Sequence, residues 1–431
     1  MIGGLTQRLW KNTLAQAGAQ LAGLAVGLAT AMVLSRHLGV DGFAQFNYVF
    51  AFLYFFVAVN DFGVNVVVVR EVAQRPDRAG EILGSVLIMK LGVAAAAVLA
   101  AWAVIWLIEF PPGLRTALAV YALVLPVLAG QLPAVIFQVR GRLGYPALIG
   151  VASRCLGLAL TMGALWVGGG VVAVVAAALV GELAGLVALW IAARRFVRLR
   201  WRSDLGIWRR VLRSSLPLGV AGLFGAIINR ADFLMLERMT DLREVGLYAV
   251  AYKVTILLEA LPLMIMATVY PLMSRYAVED PGRLRALYRK SVLLLGLAGV
   301  PLGIAVTLIA PQIVRVVFGT QFAGAAPLLT VLVWATVFLY LAISGGNLLI
   351  SMGHERLNLA ILAAGAVVNV ALNLYWIPTA GALGAAWATT VTFFIILLAT
   401  TCTAWRVLDR LAPVRPVEVG FALRNVTGDP R

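Results

Sequence analysis

Long apolar segments follow one another along the whole chain, separated by short polar turns. Five of them contain no Asp, Glu, Lys or Arg: 12–35, 116–139, 291–314, 316–354 and 357–405. The hydrocarbon core of a bilayer is about 30 Å thick, and roughly 20 apolar residues in a helix cross it. The last two segments are therefore each long enough for two crossings. The pattern predicts an all-α integral membrane protein with twelve transmembrane helices.

The expected crossings form two groups of six, because a long basic connector interrupts the apolar pattern after the sixth. They are 13–35, 43–68, 81–106, 116–138, 146–167, 171–193, 215–236, 246–270, 291–311, 325–350, 358–378 and 382–404. This grouping predicts an N-terminal lobe at 1–193, a connector at 194–214, a C-terminal lobe at 215–405 and a tail at 406–431. In the connector, Ser203 or Asp204 could cap a short interfacial helix, and the basic residues favour contact with anionic lipid.

A weak internal repeat relates the two lobes. The sequence Gly-Phe-Ala-Gln-Phe-Asn-Tyr at 42–48 opens the second crossing, and Gly-Leu-Tyr-Ala-Val-Ala-Tyr at 246–252 opens the eighth. An even number of crossings separates them, so both lobes are expected to insert with the same orientation. The repeat predicts two pseudo-symmetric halves related by an axis along the membrane normal.

Basic residues concentrate on one side of the predicted membrane. Of the 35 Lys and Arg residues, 26 fall in the termini and the loops of one face, five on the other face and four within crossings. This asymmetry places both termini in the cytoplasm by the positive-inside rule. The net charge of +16 therefore reports topology, and nucleic acid is not expected as a partner.

Neither a catalytic nor a metal site is predicted. The sequence contains no P-loop, no Gly-x-Ser-x-Gly elbow and no His-Glu-x-x-His motif. Cys155 and Cys402 both fall within apolar crossings, which indicates buried, inert thiols, and no cofactor is expected. His37 and His354 lie at crossing ends without a ligand-spaced partner.

Charged side chains within the crossings are the main functional signal, because a charge near the centre of a membrane helix costs at least about 2.5–3.5 kcal/mol. The cations are Lys90, Arg154, Arg230 and Lys253, and the acids are Asp61, Glu182, Asp232 and Glu259. A series of cations across the membrane suits an anionic substrate group such as a phosphate. The acids could couple transport to protons or Na⁺, or form structural salt bridges, and the lysines could snorkel to the interface.

Polar and small residues add a second, weaker signal. Asn229 beside Arg230, and Tyr252 one turn after Tyr248, are side chains of the kind that bind sugars, although hydrogen bonds between helices explain them equally well. In the first crossing, small residues recur every fourth position at Ala15, Ala19, Gly23, Gly27 and Ala31. Such a stripe is typical of a tight helix–helix contact.

Motifs in a consistent order over residues 12–405 resemble the oligosaccharide flippases of the multidrug/oligosaccharidyl-lipid/polysaccharide exporter superfamily. They are Ser-Arg-His-Leu-Gly at 35–39, Asn-Asp-Phe-Gly at 60–63, Leu-Pro-Leu at 216–218, Asn-Arg-Ala-Asp at 229–232, Val-Gly-Leu-Tyr at 245–248, Tyr-Pro-Leu-Met-Ser-Arg at 270–275, Val-Phe-Gly at 317–319 and Asn-Val-Ala-Leu-Asn at 369–373. The resemblance implies a V-shaped, two-lobed carrier that works by alternating access.

The same resemblance implies a substrate, a location and partners. The expected substrate is an undecaprenyl-pyrophosphate-linked oligosaccharide, moved from the cytoplasmic to the periplasmic leaflet of a bacterial inner membrane. Substrate binding is expected at Arg154, Arg230, Lys90, Lys253, Asn229 and Tyr252, and ion coupling at Asp61, Glu182, Asp232 and Glu259. Membrane lipids, a glycan polymerase and glycosyltransferases of the same pathway are the expected partners.

Two other function classes make different predictions for this chain. An ion-coupled drug exporter would share the architecture but would favour a cavity dominated by acids. A membrane enzyme such as a glycan polymerase or ligase would need a large periplasmic loop, and the longest outer loop, at about 236–246, is too short for one. The sequence favours the flippase.

Overall fold

The computed structural model describes the backbone of residues 2–410 and the side chains of residues 18–410. Within these residues the chain is helical throughout, with no strand. Residues 411–431, which make up most of the predicted tail, and the side chain of Ala15 lie outside the described part. The expected all-helical membrane fold is confirmed.

Thirteen helices follow one another in the described chain. The first half contains α1 (Ile2–Asp61), α2 (Val64–Gln74), α3 (Ala79–Leu107), α4 (Pro112–Tyr121), α5 (Val124–Gly130), α6 (Ala134–Val139), α7 (Gly144–Trp166) and α8 (Val171–Ala193). The second half contains α9 (Leu205–Met239), α10 (Leu242–Glu279), α11 (Pro281–Val317), α12 (Ala325–Ser351) and α13 (Glu355–Asp409). Short 3₁₀ turns at Pro76–Arg78 and Thr320–Phe322 join neighbouring helices.

Ten helical segments of the described chain are long and apolar enough to cross a membrane. Two of them are far longer than one crossing needs: α13 has 55 residues, about 80 Å at 1.5 Å per residue. A glycine with non-helical backbone angles divides each of these, Gly39 in α1 and Gly381 in α13. Each part is long enough for one crossing, and the count of twelve stays a prediction.

Two expected crossings are interrupted rather than continuous. The crossing at 43–68 breaks after Asp61, where Phe62 and Gly63 have φ angles of 40° and 71°. The crossing at 116–138 is divided into α4, α5 and α6, and its last break ends at Pro133, which has no N–H to donate to the preceding turn. Breaks of this kind within a membrane occur where the backbone is buried in protein or lines a cavity.

The connector leads directly into α9. Asp204 caps this helix, since its Oδ1 accepts hydrogen bonds from the backbone N–H groups of Gly206 (2.8 Å) and Ile207 (3.1 Å). The expected cap at Asp204 is confirmed, but the separate interfacial helix is wrong. The helix that begins at Leu205 continues through the next crossing to Met239, with Pro217 inside it.

The two halves pack together mainly through α1, which contacts α9 and α10. At the end of the molecule away from the connector, Phe43 of the first half is buried against Phe318 and Phe322 of the second, with ring centroids 6.3 and 5.6 Å away. A hydrogen bond from the Gln321 amide to the Ser35 carbonyl (2.7 Å) also joins the halves there. These contacts close the space between the two halves at this end of the molecule, which is called the opposite end below. The end at which the connector lies is called the connector end.

Candidate substrate-binding cavity

A cavity of about 310 Å³ lies between the two halves. Its walls come from α1, α4, α7 and α8 of the first half and from α9 and α10 of the second. Three of the four predicted cations line it, namely Arg154, Arg230 and Lys253, together with Glu182. Folding therefore brings together charges that are up to 99 positions apart in the sequence. This space is called the central cavity below.

Arg230 is held by aromatic rings rather than by a carboxylate. Its guanidinium carbon lies 4.8 Å from the ring centroid of Tyr252, 5.1 Å from that of Tyr54 and 5.7 Å from that of Phe233. Its Nε is buried without a hydrogen-bond partner. Aromatic faces stabilise a cation without neutralising it. Within the described part of the chain, no carboxylate is within ion-pair distance of Arg230, so its charge is available to an anion.

Arg154 and Lys253 are equally free of ion pairs among the residues that the structure describes. The guanidinium of Arg154 lies against Gly23 of α1, where a Cβ atom would collide with its Nη1. Gly27, one turn further along, also lines the central cavity, and a Cβ there would meet nothing within 4 Å. The expected tight contact therefore holds at Gly23, which packs against α7, and not at Gly27, which leaves room in the cavity.

Of the described residues that line the central cavity, Glu182 is the only acidic one. Its Oε2 accepts a hydrogen bond of 3.2 Å from the Gln131 amide, at the break between α5 and α6. Three cations against one carboxylate give the lining an excess of positive charge. Such a lining is electrostatically suited to an anionic group.

Lys90 and Asp61 lie in a second cavity, inside the first half, of about 360 Å³. Lys90 donates to Oδ1 of Asp61 (3.3 Å) and to Oδ1 of Asn65 (3.0 Å), and only 3% of its side chain is exposed. The expectation that Lys90 shares one cavity with the other cations is wrong, because its ammonium group points into the first half and is paired there. Asp61 is 44% exposed and faces the same cavity.

Asn229, Asp232 and Glu259 lie outside the central cavity, in the packing of the second half. The Asn229 amide donates to the Gly225 carbonyl (2.7 Å), so the side chain is turned back along α9. Asp232 is fully buried and accepts hydrogen bonds from the Tyr248 hydroxyl and from the backbone N–H of Phe233. Glu259 and Asn229 line a small void that also reaches Tyr252. Tyr252 lines both this small void and the central cavity.

Sequence reasoning missed Gly23 as a cavity residue and Tyr54 as a contact of Arg230. Tyr54 is a tyrosine within an apolar crossing, which by itself is only a weak sign of a functional role. The contact with Arg230 follows from the fold. Cys155 and Cys402 are free, and both lie on the outer surface of the helix bundle, on membrane-spanning helices. Among the described residues, no group of three or more His, Cys, Asp or Glu side chains could hold a metal ion.

Comparison with known proteins identifies the family. The family profile described as "Polysaccharide biosynthesis protein" matches residues 9–277, which is more than half of the chain. The chain belongs to this polysaccharide biosynthesis protein family. A second profile, described as "MatE", matches residues 217–375. An uncharacterized membrane protein of Methanocaldococcus jannaschii is 26% identical over 194 residues, which are 44% of this chain and 38% of that protein.

Solved structures share the fold of this polysaccharide biosynthesis protein. An inward-facing multidrug resistance MATE transporter of the MOP superfamily matches with a TM-score of 0.77 and 15% identity, covering 92% of this chain and 98% of its own. A lipid II flippase in an inward closed conformation matches with a TM-score of 0.75 and 12% identity; the match covers 91% of this chain and 87% of the flippase. These likenesses show that the chain has the fold of these membrane transporters and flippases.

Proposed function

We propose that this protein is a flippase for polyprenyl-pyrophosphate-linked oligosaccharides and that the pyrophosphate binds in the central cavity. The observation that supports this most directly is a set of three cations around one space between the two halves, Arg154, Arg230 and Lys253, none of which forms an ion pair with a described residue. The match to a polysaccharide biosynthesis family supports the glycan part of the substrate.

The chemistry of a pyrophosphate fits this set of side chains. A doubly or triply charged head group cannot enter a low-dielectric interior unless its lost hydration is replaced by opposite charge and hydrogen bonds. Two guanidinium groups supply planar pairs of N–H donors that match phosphate oxygens, and Lys253 adds a compact charge. The isoprenoid tail would stay in the bilayer during transfer, because its burial in lipid is favourable.

The rest of the lining suits the sugar next to the pyrophosphate. Tyr252 offers a flat face beside Arg230. Asn47 and Thr30 line the same space, and since they donate to the Phe43 and Val26 carbonyls, their oxygens are left to accept hydrogen bonds from sugar hydroxyls. These side chains come from both halves of the molecule. A substrate that contacts both halves interacts differently with the open and closed states, which is the requirement for driving alternating access.

The setting of this activity is the bacterial inner membrane, with both termini in the cytoplasm and transport of an undecaprenyl-linked glycan towards the periplasmic leaflet. Glycosyltransferases would supply this substrate and a glycan polymerase would consume it. Glu182 is the acid best placed to couple transport to an ion, because it shares the central cavity with the three cations.

The test is transport by purified protein in liposomes that contain an undecaprenyl-pyrophosphate-linked glycan. The wild type is expected to move the glycan across the bilayer, whereas Arg154→Ala, Arg230→Ala and Lys253→Ala should each lower the rate at least tenfold. Arg238→Ala is the matched control, since Arg238 is also on α9 and also lies over an aromatic ring, that of Phe110, but outside the cavity. Normal transport by all three cavity variants would refute the proposal.

An ion-coupled drug exporter is the alternative that specific observations favour. The MatE profile matches the second half, and Glu182 offers one acidic group in the central cavity. This alternative predicts that a proton or Na⁺ gradient drives export of a cationic dye and that Glu182→Gln abolishes it. Liposomes that accumulate the dye and leave the lipid-linked glycan in place would decide for the exporter.

A further inference from the structure

A third cavity, of about 480 Å³, lies at the connector end of the first half and shares no lining residue with the central cavity. Its walls include Pro133 at the break before α6, Trp190 and Arg194 at the end of α8, and Arg198 and Trp201 of the connector. None of these residues takes part in the proposed transport step. This space is called the connector pocket below.

The connector backbone is seated on α3, so the pocket has a fixed wall. The Arg200 N–H donates to the Gly80 carbonyl (2.9 Å), and Cβ atoms at Gly80 or Gly84 would collide with connector carbonyl oxygens. Further along, the indole N–H of Trp208 donates to the Ser85 carbonyl (2.9 Å). Because glycines admit the close approach of the two backbones, the connector follows one defined path across the bundle.

Two tryptophans form the aromatic side of the pocket. The rings of Trp190 and Trp201 are stacked, with centroids 6.1 Å apart and planes inclined by 10°. The indole N–H of Trp190 is anchored to the Gly130 carbonyl (2.9 Å), which fixes the stack against the broken crossing. Trp201 remains 60% exposed. Partly exposed tryptophans at the ends of membrane helices lie at the level of the lipid head groups.

Two arginines give the pocket its charge. Arg194 follows Trp190 by one helical turn, and Arg198 projects from the connector; both are exposed. No carboxylate in the described part of the chain forms an ion pair with either. Helix α8 has 23 residues and is about 34 Å long, so its end at Ala193 brings Arg194 to the membrane surface.

We propose that the connector pocket binds the head group of an anionic phospholipid from the leaflet at the connector end. The two guanidinium groups complement the phosphate, and the stacked indoles pack against the glycerol region. Exposed apolar residues of α8, Val187 and Ile191, lie next to the pocket along the helix and offer a surface for the acyl chains. A bound lipid would link the end of the first half to the connector, which is the only covalent link to the second half.

The test is native mass spectrometry of the purified full-length protein with phosphatidylglycerol, and with phosphatidylcholine as the zwitterionic comparison. The wild type should retain one phosphatidylglycerol at least tenfold more strongly than phosphatidylcholine. The double variant Arg194→Gln/Arg198→Gln should lose this preference, and Trp201→Ala, which changes no charge, should weaken retention several-fold. Arg209→Gln/Arg213→Gln removes two exposed cations of α9 outside the pocket and should have no effect.

Each contrary result has a distinct meaning. Equal losses in the pocket variant and in the α9 control would show diffuse attraction to a basic surface and would overturn the proposal. Unchanged retention in both pocket variants, or equal retention of the two lipids by the wild type, would overturn it as well. Displacement of the lipid by millimolar inorganic phosphate would identify a soluble-anion site instead. Circular dichroism of every variant distinguishes loss of the site from loss of the fold, and Trp201→Phe provides a milder replacement of the aromatic wall.

Discussion

Tyr54 of the first half lies over the guanidinium of Arg230 of the second half, with 5.1 Å between the ring centroid and the guanidinium carbon. Tyr252 faces the same guanidinium at 4.8 Å, from the half to which Arg230 itself belongs. The cation that we expect to hold the pyrophosphate is thus oriented from both sides of the boundary between the halves. Movement of the halves must change one of these two contacts, which links the charge to the transport cycle.

We expect Tyr54→Ala to slow transport of the lipid-linked glycan about 2- to 30-fold, since a cation–π contact contributes about 0.5–2 kcal/mol. The ring, and not the hydroxyl, is the group that contacts Arg230, so Tyr54→Phe should transport at nearly the wild-type rate. The rate of glycan transfer in liposomes measures both variants. Equal loss in both variants would show that the hydroxyl is what matters and would contradict this role of the ring.

A second prediction concerns the space beside Arg154. In Gly23→Ala the new methyl group would occupy the position of the guanidinium Nη1 and would push this flexible side chain out of place. We expect affinity for the pyrophosphate-linked substrate to fall about tenfold or more, because a charge-assisted hydrogen bond contributes about 1.5–3 kcal/mol. Binding to the detergent-purified protein, followed by the change in intrinsic fluorescence, measures the effect.

Gly27→Ala is the matched control for Gly23→Ala. Both glycines are in α1 and line the central cavity, but a Cβ at Gly27 meets no atom within 4 Å. The melting temperatures of both variants should equal that of the wild type, because neither change disturbs the packed core. If Gly27→Ala weakens binding as much as Gly23→Ala, the effect comes from cavity volume and not from Arg154.

The sequence predicted the class of the fold well, and the charges of the site in part. Membrane helices are encoded locally, by length and hydropathy, so the positions of most crossings could be predicted. The breaks at Phe62–Gly63 and before Pro133 could not be predicted, because tertiary contacts decide whether a proline or a glycine interrupts a membrane helix.

The rotation of each helix about its own axis decides which charged side chains share a cavity. Hydropathy does not determine this rotation. Arg154, Arg230 and Lys253 line one cavity, and Lys90 does not, since its helix turns the ammonium group towards Asp61. Asn229 was expected beside Arg230 in the cavity, yet adjacent residues of a helix point about 100° apart. The contact of Tyr54 with Arg230 spans 176 positions of sequence and follows from the fold alone.

The ion pair between Lys90 and Asp61 predicts an asymmetric effect on stability. Lys90 is 3% exposed and Asp61 is 44% exposed. Removing the acid in Asp61→Ala leaves a buried, unpaired ammonium group, which costs about 3–5 kcal/mol in soluble proteins. Removing the amine in Lys90→Met leaves a carboxylate that water can reach and should cost much less. Thermal unfolding in detergent should show a clearly lower melting temperature for Asp61→Ala, and equal melting temperatures would contradict the assignment of Lys90 as the buried partner.

The closed opposite end gives the last prediction. The Gln321 amide donates to the Ser35 carbonyl across the two halves (2.7 Å), beside the buried cluster of Phe43, Phe318 and Phe322. In alternating access this contact must break for the substrate to leave on that side. In a background without Cys155 and Cys402, both of which are exposed, we expect a short bismaleimide to join cysteines placed at positions 35 and 321. The cross-linked protein should bind the lipid-linked glycan and fail to transport it.

A cross-link within one half provides the control. Arg285 donates to Asp409 (2.7 Å), and both residues are in the second half at the connector end. Cysteines at 285 and 409, joined by the same reagent, should leave the transport rate unchanged, because a half that moves as a unit keeps this distance constant. Full transport after complete cross-linking at 35 and 321 would contradict opening at the opposite end, whereas loss of transport only in the 35–321 pair would identify this contact as one that separates during the cycle.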